Sequence, residues 1–334
     1  MQFTTPIEFD SKSYPKISYE HTLVSLGSCF SENIGGKLQD LKFKCLVNPF
    51  GVLYNPESIN QAILEILEQK QYSESDLFFN HEQWHSWMHH GSFSNRDICI
   101  VLETINSNIE TASNYFEELD FLLLTFGSSW IYRLNESNRI ISNCHRVSSN
   151  SFVRERLTVE EIVNTYSDLI SLLLVKRPNL KIVFSISPIR HIRDGLHENQ
   201  KSKAILLLAI EELQAKYPHT ICYFPSYEIL IDELRDYRFY ADDMVHPSKL
   251  AVEYIWERIE QQFFDKPTQD TLKECLRIQK SLTHRPLNPG LKSHQMFLEQ
   301  LISKMENISI KNAKLDFRKE IDICLTQLKK YQNY

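Results

Sequence analysis

The sequence predicts an α/β fold: a central parallel sheet of about five strands, helices packed against it, and a helical extension at the C-terminal end. Three observations carry this reading. Five short apolar runs punctuate the first two thirds of the chain. Each is followed, closely or after an insertion, by apolar residues at helical spacing. Beyond about residue 265 the pattern is helical only. Strand–helix alternation of this kind builds sheets wrapped by helices.

The elements follow in order. Thr22–Leu26 leads into a helical pattern over Ser31–Leu41, and Phe43–Val47 leads into Pro56–Gln69. The third run is Phe121–Phe126. The next helix, Thr158–Val175, opens on Thr158-x-x-Glu161, the pattern of a capping box. Lys181–Ile186 precedes His197–Lys216, and Ile221–Phe224 precedes Lys249–Phe264. Two segments interrupt the alternation. Residues 71–120, rich in His, Phe, Trp and Asn, read as an insertion, and 131–157 are polar with Asn and Ser clusters. Helices are expected near 269–283, 291–308 and 314–331, with Pro286 and Pro289 between the first two. The chain therefore divides into an α/β domain over 1–265, with its insertion at about 71–120, and a helical extension over 266–334. Residues 301–334 carry seven Lys/Arg against four Asp/Glu, which reads as a solvated helical face.

Composition narrows the function. The chain has 334 residues, of which 42% are hydrophobic and 24% charged, as in ordinary globular proteins. Only 8 are glycine, about a third of the usual share of roughly 7%. No G-x-G spacing exists, which excludes the dinucleotide loop, and no G-x-x-x-x-G-K-[ST] exists, which excludes an ordinary P-loop. A net charge of −6 opposes a general nucleic-acid surface. No apolar stretch approaches the roughly 18 residues of a membrane span, and the opening MQFTTPIEFDSKSYPK lacks an apolar core. Seven scattered cysteines without C-x-x-C fit a reducing cytoplasm better than a disulfide framework or zinc ribbon. No cofactor, nucleic-acid or membrane partner is expected, and oligomeric state has no sequence signal.

In open α/β sheets, sites gather at the carboxyl ends of strands. The first run ends in Gly27-Ser28-Cys29-Phe30-Ser31 and the second in Asn48-Pro49-Phe50-Gly51. The third ends in Gly127-Ser128-Ser129-Trp130 and the fourth in Ser187-Pro188-Ile189-Arg190-His191. Beyond the fifth lies Asp243-Met244-Val245-His246-Pro247. Gly27, Gly51, Gly127 and Gly195 thus all follow predicted strands.

Gly27-Ser28-Cys29-Phe30-Ser31 resembles the signature of the GSCFA-domain family, with Ser31 in place of its Ala. That family is related to the SGNH/GDSL hydrolases. The resemblance covers about residues 20–260 and continues into His284-Arg285-Pro286. It implies a flavodoxin-like, SGNH-type three-layer αβα fold. It also implies a nucleophile in the turn after the first strand, oxyanion donors in the second and third blocks, and a D-x-x-H motif near the domain end. By position, Cys29 takes the nucleophile's place, Gly51 matches the second-block glycine, and Asp243-x-x-His246 matches D-x-x-H. Gly127-Ser128-Ser129 lies on G-x-N, so Ser129 stands where Asn is usual. Asn143, in Asn143-Cys144-His145-Arg146, is a candidate replacement donor.

Residue chemistry supports the same roles. A helix N-terminus after Cys29 favours a thiolate. His246 suits a general base oriented by Asp243. Backbone N–H groups at Cys29 and Gly51 suit an oxyanion. Ser28 and Ser31 are alternative hydroxyl nucleophiles, and Cys29 as a small buried core thiol is the structural alternative. Arg190, His191 and Asp194 stand where a substrate binds, Arg190 suiting a carboxylate or phosphate. Ser28, Gly127 and His145 complete the expected substrate contacts. The run Asp232, Arg235, Asp236 and Arg238 directly precedes the Asp243/His246 motif, a position from which it can orient that loop. His81, His85 and His89 at spacings of four would share one helical face, the pattern of a metal site. Residues 71–95 read first as a lid over the site with aromatics facing the ligand, with an aromatic packing layer and the metal site as the alternatives.

The expected function is therefore hydrolysis or acyl transfer on an ester or thioester by a Cys-His-Asp arrangement. The substrate would be an acylated small molecule or carbohydrate. Two alternatives stand beside it: a non-catalytic ligand-binding module, and a metal-dependent hydrolase built on His81/His85/His89.

Overall fold

The computed structural model describes residues 5–9, 14–283 and 291–331. The expected helical pattern is interleaved with the strands as follows. The chain runs through β1 (Thr22–Gly27), α1 (Cys29–Asp40), β2 (Lys44–Val47) and α2 (Pro56–Leu67). A hairpin of β3 (Leu77–Asn80) and β4 (Gln83–Ser86) precedes α3 (Ile98–Glu117) and β5 (Phe121–Phe126). Then come β6 (Trp130–Leu134), β7 (Ile140–Ile141), β8 (Phe152–Arg156), α4 (Val159–Lys176) and β9 (Lys181–Ile186). The domain closes with α5 (Leu196–Lys216), β10 (Ile221–Phe224), a short α6 (Ser226–Glu228) and α7 (Lys249–Phe263). Three helices follow: α8 (Lys266–Thr283), α9 (Lys292–Lys311) and α10 (Arg318–Tyr331).

The central sheet is parallel throughout, with order β10-β9-β5-β1-β2. Counted along the sheet's own strands this is 2-1-3-4-5, the doubly wound order of flavodoxin-like folds. All five strands lie where the apolar runs predict them. They are apolar because both faces are covered. On one face Leu26, Leu124, Phe126 and Phe184 meet α2, α3, α4 and α5 through residues such as Ile63, Ile105, Ile170 and Leu206. On the other, Leu23, Val183 and Phe224 meet α1 and α7 through Phe30, Ile34, Trp256 and Phe263. Leu272 and Cys275 of α8, Leu298 and Met305 of α9 and Cys324 of α10 join that second cluster. The helical extension thus shares a core with the α1/α7 layer. His284-Arg285-Pro286, with Pro289, lies outside the described residues.

Two expectations change. The supposed insertion at 71–120 contains α3, 20 residues long, whose Val101, Ile105, Ile109 and Ala112 are buried in the main core. Only 71–97 departs from the strand–helix alternation. The polar stretch 131–157 forms most of a three-stranded antiparallel sheet, order β7-β6-β8. Its strands are half-exposed, so no apolar run announced them. The capping box at Thr158 and Glu161 forms as expected, the Thr158 N–H donating to Glu161 Oε2 at 2.7 Å.

Gly27 is fixed by two constraints. Its φ is +144°, and a Cβ there would lie 2.2 Å from the Thr125 carbonyl oxygen of β5. Gly27→Ala is expected to cost about 2–3 kcal/mol of stability, read as a lower urea midpoint at unchanged slope. A midpoint equal to that of the unaltered protein would contradict this account.

Candidate active site

Three backbone contacts shape the turn after β1. The Gly27 N–H donates to Asn48 Oδ1 at 2.9 Å, the Leu53 N–H to the Gly27 carbonyl at 2.9 Å, and the Ser28 N–H to the Thr125 carbonyl at 3.2 Å. Ser28 is extended and caps α1, its hydroxyl accepting from the Phe30 N–H at 3.3 Å. The helix therefore begins at Cys29, two residues earlier than the sequence pattern suggests. Ser28 is fully buried, and the Ser31 hydroxyl turns inward to Ser25 Oγ at 2.7 Å. Cys29 alone among the three candidate nucleophiles is half-exposed. Its N–H has no acceptor among the described residues. The thiol lies 3.7 Å from the Tyr54 hydroxyl. Burial and the adjacent thiol hold the Tyr54 phenol well above its usual pKa, so it stays a protonated donor.

The Asp243 loop is built around its own carboxylate. Asp243 Oδ1 accepts the N–H groups of Val245 and His246, both at 2.9 Å, and Oδ2 meets His246 Nδ1 at 2.6 Å. These bonds hold the Asp243 carboxyl at about 2, so it is ionised and fixes the imidazole with Nδ1 as donor. The Ala241 N–H donates to the His246 carbonyl at 2.8 Å, closing the loop. Ser248 then caps α7, accepting from the Ala251 N–H at 3.3 Å. Among the described residues, no hydrogen bond joins Cys29 to His246.

His191 lies between the two halves. Its ring stands edge-on to Tyr54 at 6.0 Å, and its N–H donates to Asn199 Oδ1 at 2.9 Å. Burial, with the nearby charges of Lys203 and His246, lowers its pKa to about 4, so it is neutral near pH 7. Its Nε2 is buried without a hydrogen-bond partner. Beneath it, Lys203 of α5 is 1% exposed and donates to the Gly127 carbonyl at 2.7 Å and the Ser187 carbonyl at 2.8 Å. One side chain thus ties the ends of β5 and β9 together. Burial lowers its pKa to about 7.

Several expected donors are engaged elsewhere. The Gly51 N–H donates to the Asn48 carbonyl at 2.7 Å, and a Cβ at Gly51 would meet His90 Cβ at 2.3 Å. That glycine serves a tight turn and a close approach, not an open donor position. Ser129 is fully buried, with both its N–H (2.8 Å) and its hydroxyl (3.1 Å) donating to Ser202 Oγ. The Gly127 N–H donates to the Tyr54 carbonyl at 2.8 Å. The Asn143 carboxamide oxygen accepts the His145 N–H at 3.0 Å, and the Asn143 N–H donates to the Trp87 carbonyl at 3.2 Å. Asn143 therefore belongs to the packing over the β3–β4 hairpin.

The expected substrate contacts divide similarly. Arg190 grips the Asp243 loop: its guanidinium donates to the Met244 carbonyl and its N–H to the Val245 carbonyl at 3.3 Å. It also lies over the ring of Tyr240 at 4.4 Å. It positions that loop. Of the charged run before the motif, Asp236 pairs locally with Arg238 at 3.0 Å, and the link to the loop comes through Tyr237 and Tyr240 against Arg190. Asp194 pairs with Arg154 of β8. His145 is buried, its Nε2 meeting the Ser86 carbonyl at 2.8 Å, and burial lowers it to about 4.

The histidine cluster is corrected outright. His81 and Glu82 form the turn of the β3–β4 hairpin, with φ of 46° and 60°. The helical face that would have aligned His81, His85 and His89 does not form. His85 has both ring nitrogens engaged, with Ser94 Oγ at 2.6 Å and the Asn80 carbonyl at 2.9 Å. His89 stacks on Phe50 at 4.3 Å, and burial lowers its pKa to about 3. Phe78 stacks on Trp87 at 3.7 Å. The aromatics of 71–95 pack chiefly on one another. Among the described residues no group of three His, Cys, Asp or Glu side chains is placed to hold a metal.

Sequence reasoning missed Tyr54, Lys203 and the side-chain role of Asn48. Asn48 had a signal, since it opens the Asn48-Pro49-Phe50-Gly51 turn. Lys203 had none, lying within an otherwise ordinary helical pattern.

Fold and site together define a doubly wound α/β protein whose chemistry-bearing residues gather on the carboxyl edge of the sheet, beside the switch point between β1 and β5. The chain belongs to the GSCFA family. The GSCFA family model matches residues 22–259, and the model for the C-terminal domain of GSCFA domain proteins matches residues 275–330. No curated protein matches the chain. No helix among the described residues is long and apolar enough to cross a membrane.

Lys203 gives a pH signature. Its folded pKa, about 7, lies below the unfolded value of roughly 10.4. Between those values the unfolded chain binds more protons, so stability rises with pH across that window. Lys203→Met is expected to flatten the rise between pH 7 and pH 10 in urea melts. An unchanged slope would refute the assignment.

Proposed function

We propose that the chain is an SGNH-like acyl-transfer enzyme, most simply an ester or thioester hydrolase, with Cys29 as nucleophile, His246 as base and Asp243 as its orienting group. The observation that carries this reading is the half-exposed Cys29 at the first position of α1, across the cleft edge from a preformed Asp243–His246 pair. Lys37 of α1 pairs with Glu253 of α7, so the helix that starts at Cys29 faces the helix that follows the Asp243–His246 loop. Catalytic hydrogen bonds commonly tighten only around the substrate, so the open thiol–imidazole distance is compatible with the role. All seven cysteines are free thiols, which supports a reducing, cytoplasmic setting.

The chemistry balances without an added reagent. His246 Nε2 takes the thiol proton as Cys29 Sγ bonds to the acyl carbon, and the carbonyl π pair moves to oxygen. The Cys29 N–H and the neutral His191, in its Nε2–H tautomer, stabilise that oxyanion. Collapse expels the alkoxide or thiolate, which receives the proton from His246 and leaves a thioester on Cys29. Water then attacks, giving its proton to His246. Collapse restores the thiol and releases the acid. Tyr54 donates to the thiolate and holds it in place.

A second reading has its own support. With Gly51 and Ser129 engaged, the usual oxyanion donors are absent, as suits a module that binds but does not turn over its ligand. Turnover of p-nitrophenyl acetate and short acyl-CoA thioesters separates the two. Cys29→Ala and His246→Ala are each expected to lower kcat/KM by about 10³-fold or more. Asp243→Asn should lower it by about 10²–10⁴-fold, and His191→Ala by about 10-fold or more. Wild-type rates in Cys29→Ala and His246→Ala would reject the assignment. A Cys29 inert to iodoacetamide, in a protein without turnover, would favour the binding module.

A further inference from the structure

Gly36 lacks the usual reasons for a glycine. It sits inside α1, where glycine is destabilising relative to alanine. Its φ is not positive, and nothing lies within 4 Å of where its Cβ would stand. Its neighbour Gly35 differs, since a Cβ there would press on Val47 Cγ2 at 2.6 Å. What Gly36 does border is a groove of about 400 Å³ between α1 and the start of α7. Asn33, Gly36 and Asp40 form one wall, and Pro247, Lys249 and Glu253 form the other.

The groove lies next to the proposed reacting groups along both walls. Cys29, Asn33, Gly36 and Asp40 follow the i, i+4, i+7, i+11 rhythm of a single helix face. Asn33 Nδ2 donates to the Cys29 carbonyl at 3.1 Å. Pro247, on the opposite wall, is the residue after His246. A substrate held between Cys29 and His246 therefore has an open path along the bare side of α1.

Its chemistry selects a class of occupant. Lys37 and Glu253 cancel one another across the groove. Glu32, Asp40, Lys249 and the Asn33 amide remain, with carboxylates in excess. A polyanionic group would meet that excess unfavourably. Hydroxyl groups, which donate and accept, match this mixture of carboxylate, amide and ammonium.

We propose that this groove is the subsite for the leaving-group half of the substrate, a neutral hydroxyl-rich group of the sugar or polyol class, with Gly36 leaving room in its α1 wall. The proposal rests on the acyl-transfer reading for its catalytic arm only.

The test compares two acetyl esters in the full chain. Vinyl acetate has a leaving group too small to reach Gly36, whereas 6-O-acetylglucose places a sugar in the groove. G36W is expected to keep vinyl acetate turnover within twofold and to lower kcat/KM for 6-O-acetylglucose at least tenfold. G36Q gives the same comparison should tryptophan disturb the fold. Equal effects on the two esters would overturn the proposal, as would a groove-dependent preference for acetyl-CoA. A second arm needs no catalysis: saturation-transfer NMR of glucose should show contact with the unaltered protein and lose it in G36W. Contact without turnover would reject the acyl-transfer reading and retain the groove. Absent or unaltered contact would reject the groove.

Discussion

The site depends on one close approach, between Gly27 at the end of β1 and the Thr125 carbonyl of β5. These strands flank the point at which the sheet reverses its winding, where the chain must leave β1 without colliding with β5. A side chain at Gly27 would occupy the space of that carbonyl. With glycine there, the Ser28 N–H reaches Thr125, Ser28 caps α1, and Cys29 falls on the first helical position with its N–H free. The exposure of the thiol, its place at the positive end of the helix and its distance from Tyr54 all follow from this contact.

The other strand-end turns are rigid for a related reason. Buried backbone polar groups must be paired, and here they are paired largely with one another. Asn48 serves Gly27 through its side chain and Gly51 through its carbonyl. The Tyr54 carbonyl accepts from both Gly127 and Ser128, and Lys203 takes the outward carbonyls of Gly127 and Ser187. The consequence is a scarcity of free donors. The N–H groups that the family resemblance suggested for the oxyanion have become structural. Among the described residues, the unpartnered polar atoms around this turn include Asn48 Nδ2, the Cys29 N–H and His191 Nε2, and the proposed chemistry uses the last two.

Legibility followed the physical signal. The five buried strands were visible because burial on both faces demands uninterrupted apolar runs, and β5, β9 and β10 match the sequence reading residue for residue. The small sheet β7-β6-β8 was not visible, because half-exposed strands carry Arg, Glu and Tyr without a clean alternation. The histidines misled for the opposite reason. Spacing of four is meaningful only on a helix, and the aromatics flanking His81, which are Phe78, Phe79 and Trp84, are the cues of a hairpin. Within the site, Cys29, Asp243 and His246 stood out by residue type and position. Arg190 stood out equally, yet its charge is directed to carbonyls of the Asp243 loop. Residue type shows which groups can do chemistry, and only contacts show which are already occupied.

A thiol rather than a hydroxyl at position 29 is consistent with this environment. A serine hydroxyl, with its very high pKa, requires a base already bonded to it. A thiol is intrinsically the more acidic and more nucleophilic group, so a cysteine needs less activation. The Tyr54 phenol, kept protonated by burial, adds a donor beside the sulfur. On the proposed reading the imidazole stays held by Asp243 and meets the sulfur around a bound substrate. On this account the free N–H of Cys29, the neutral His191 and the separation of Cys29 from His246 are parts of one arrangement.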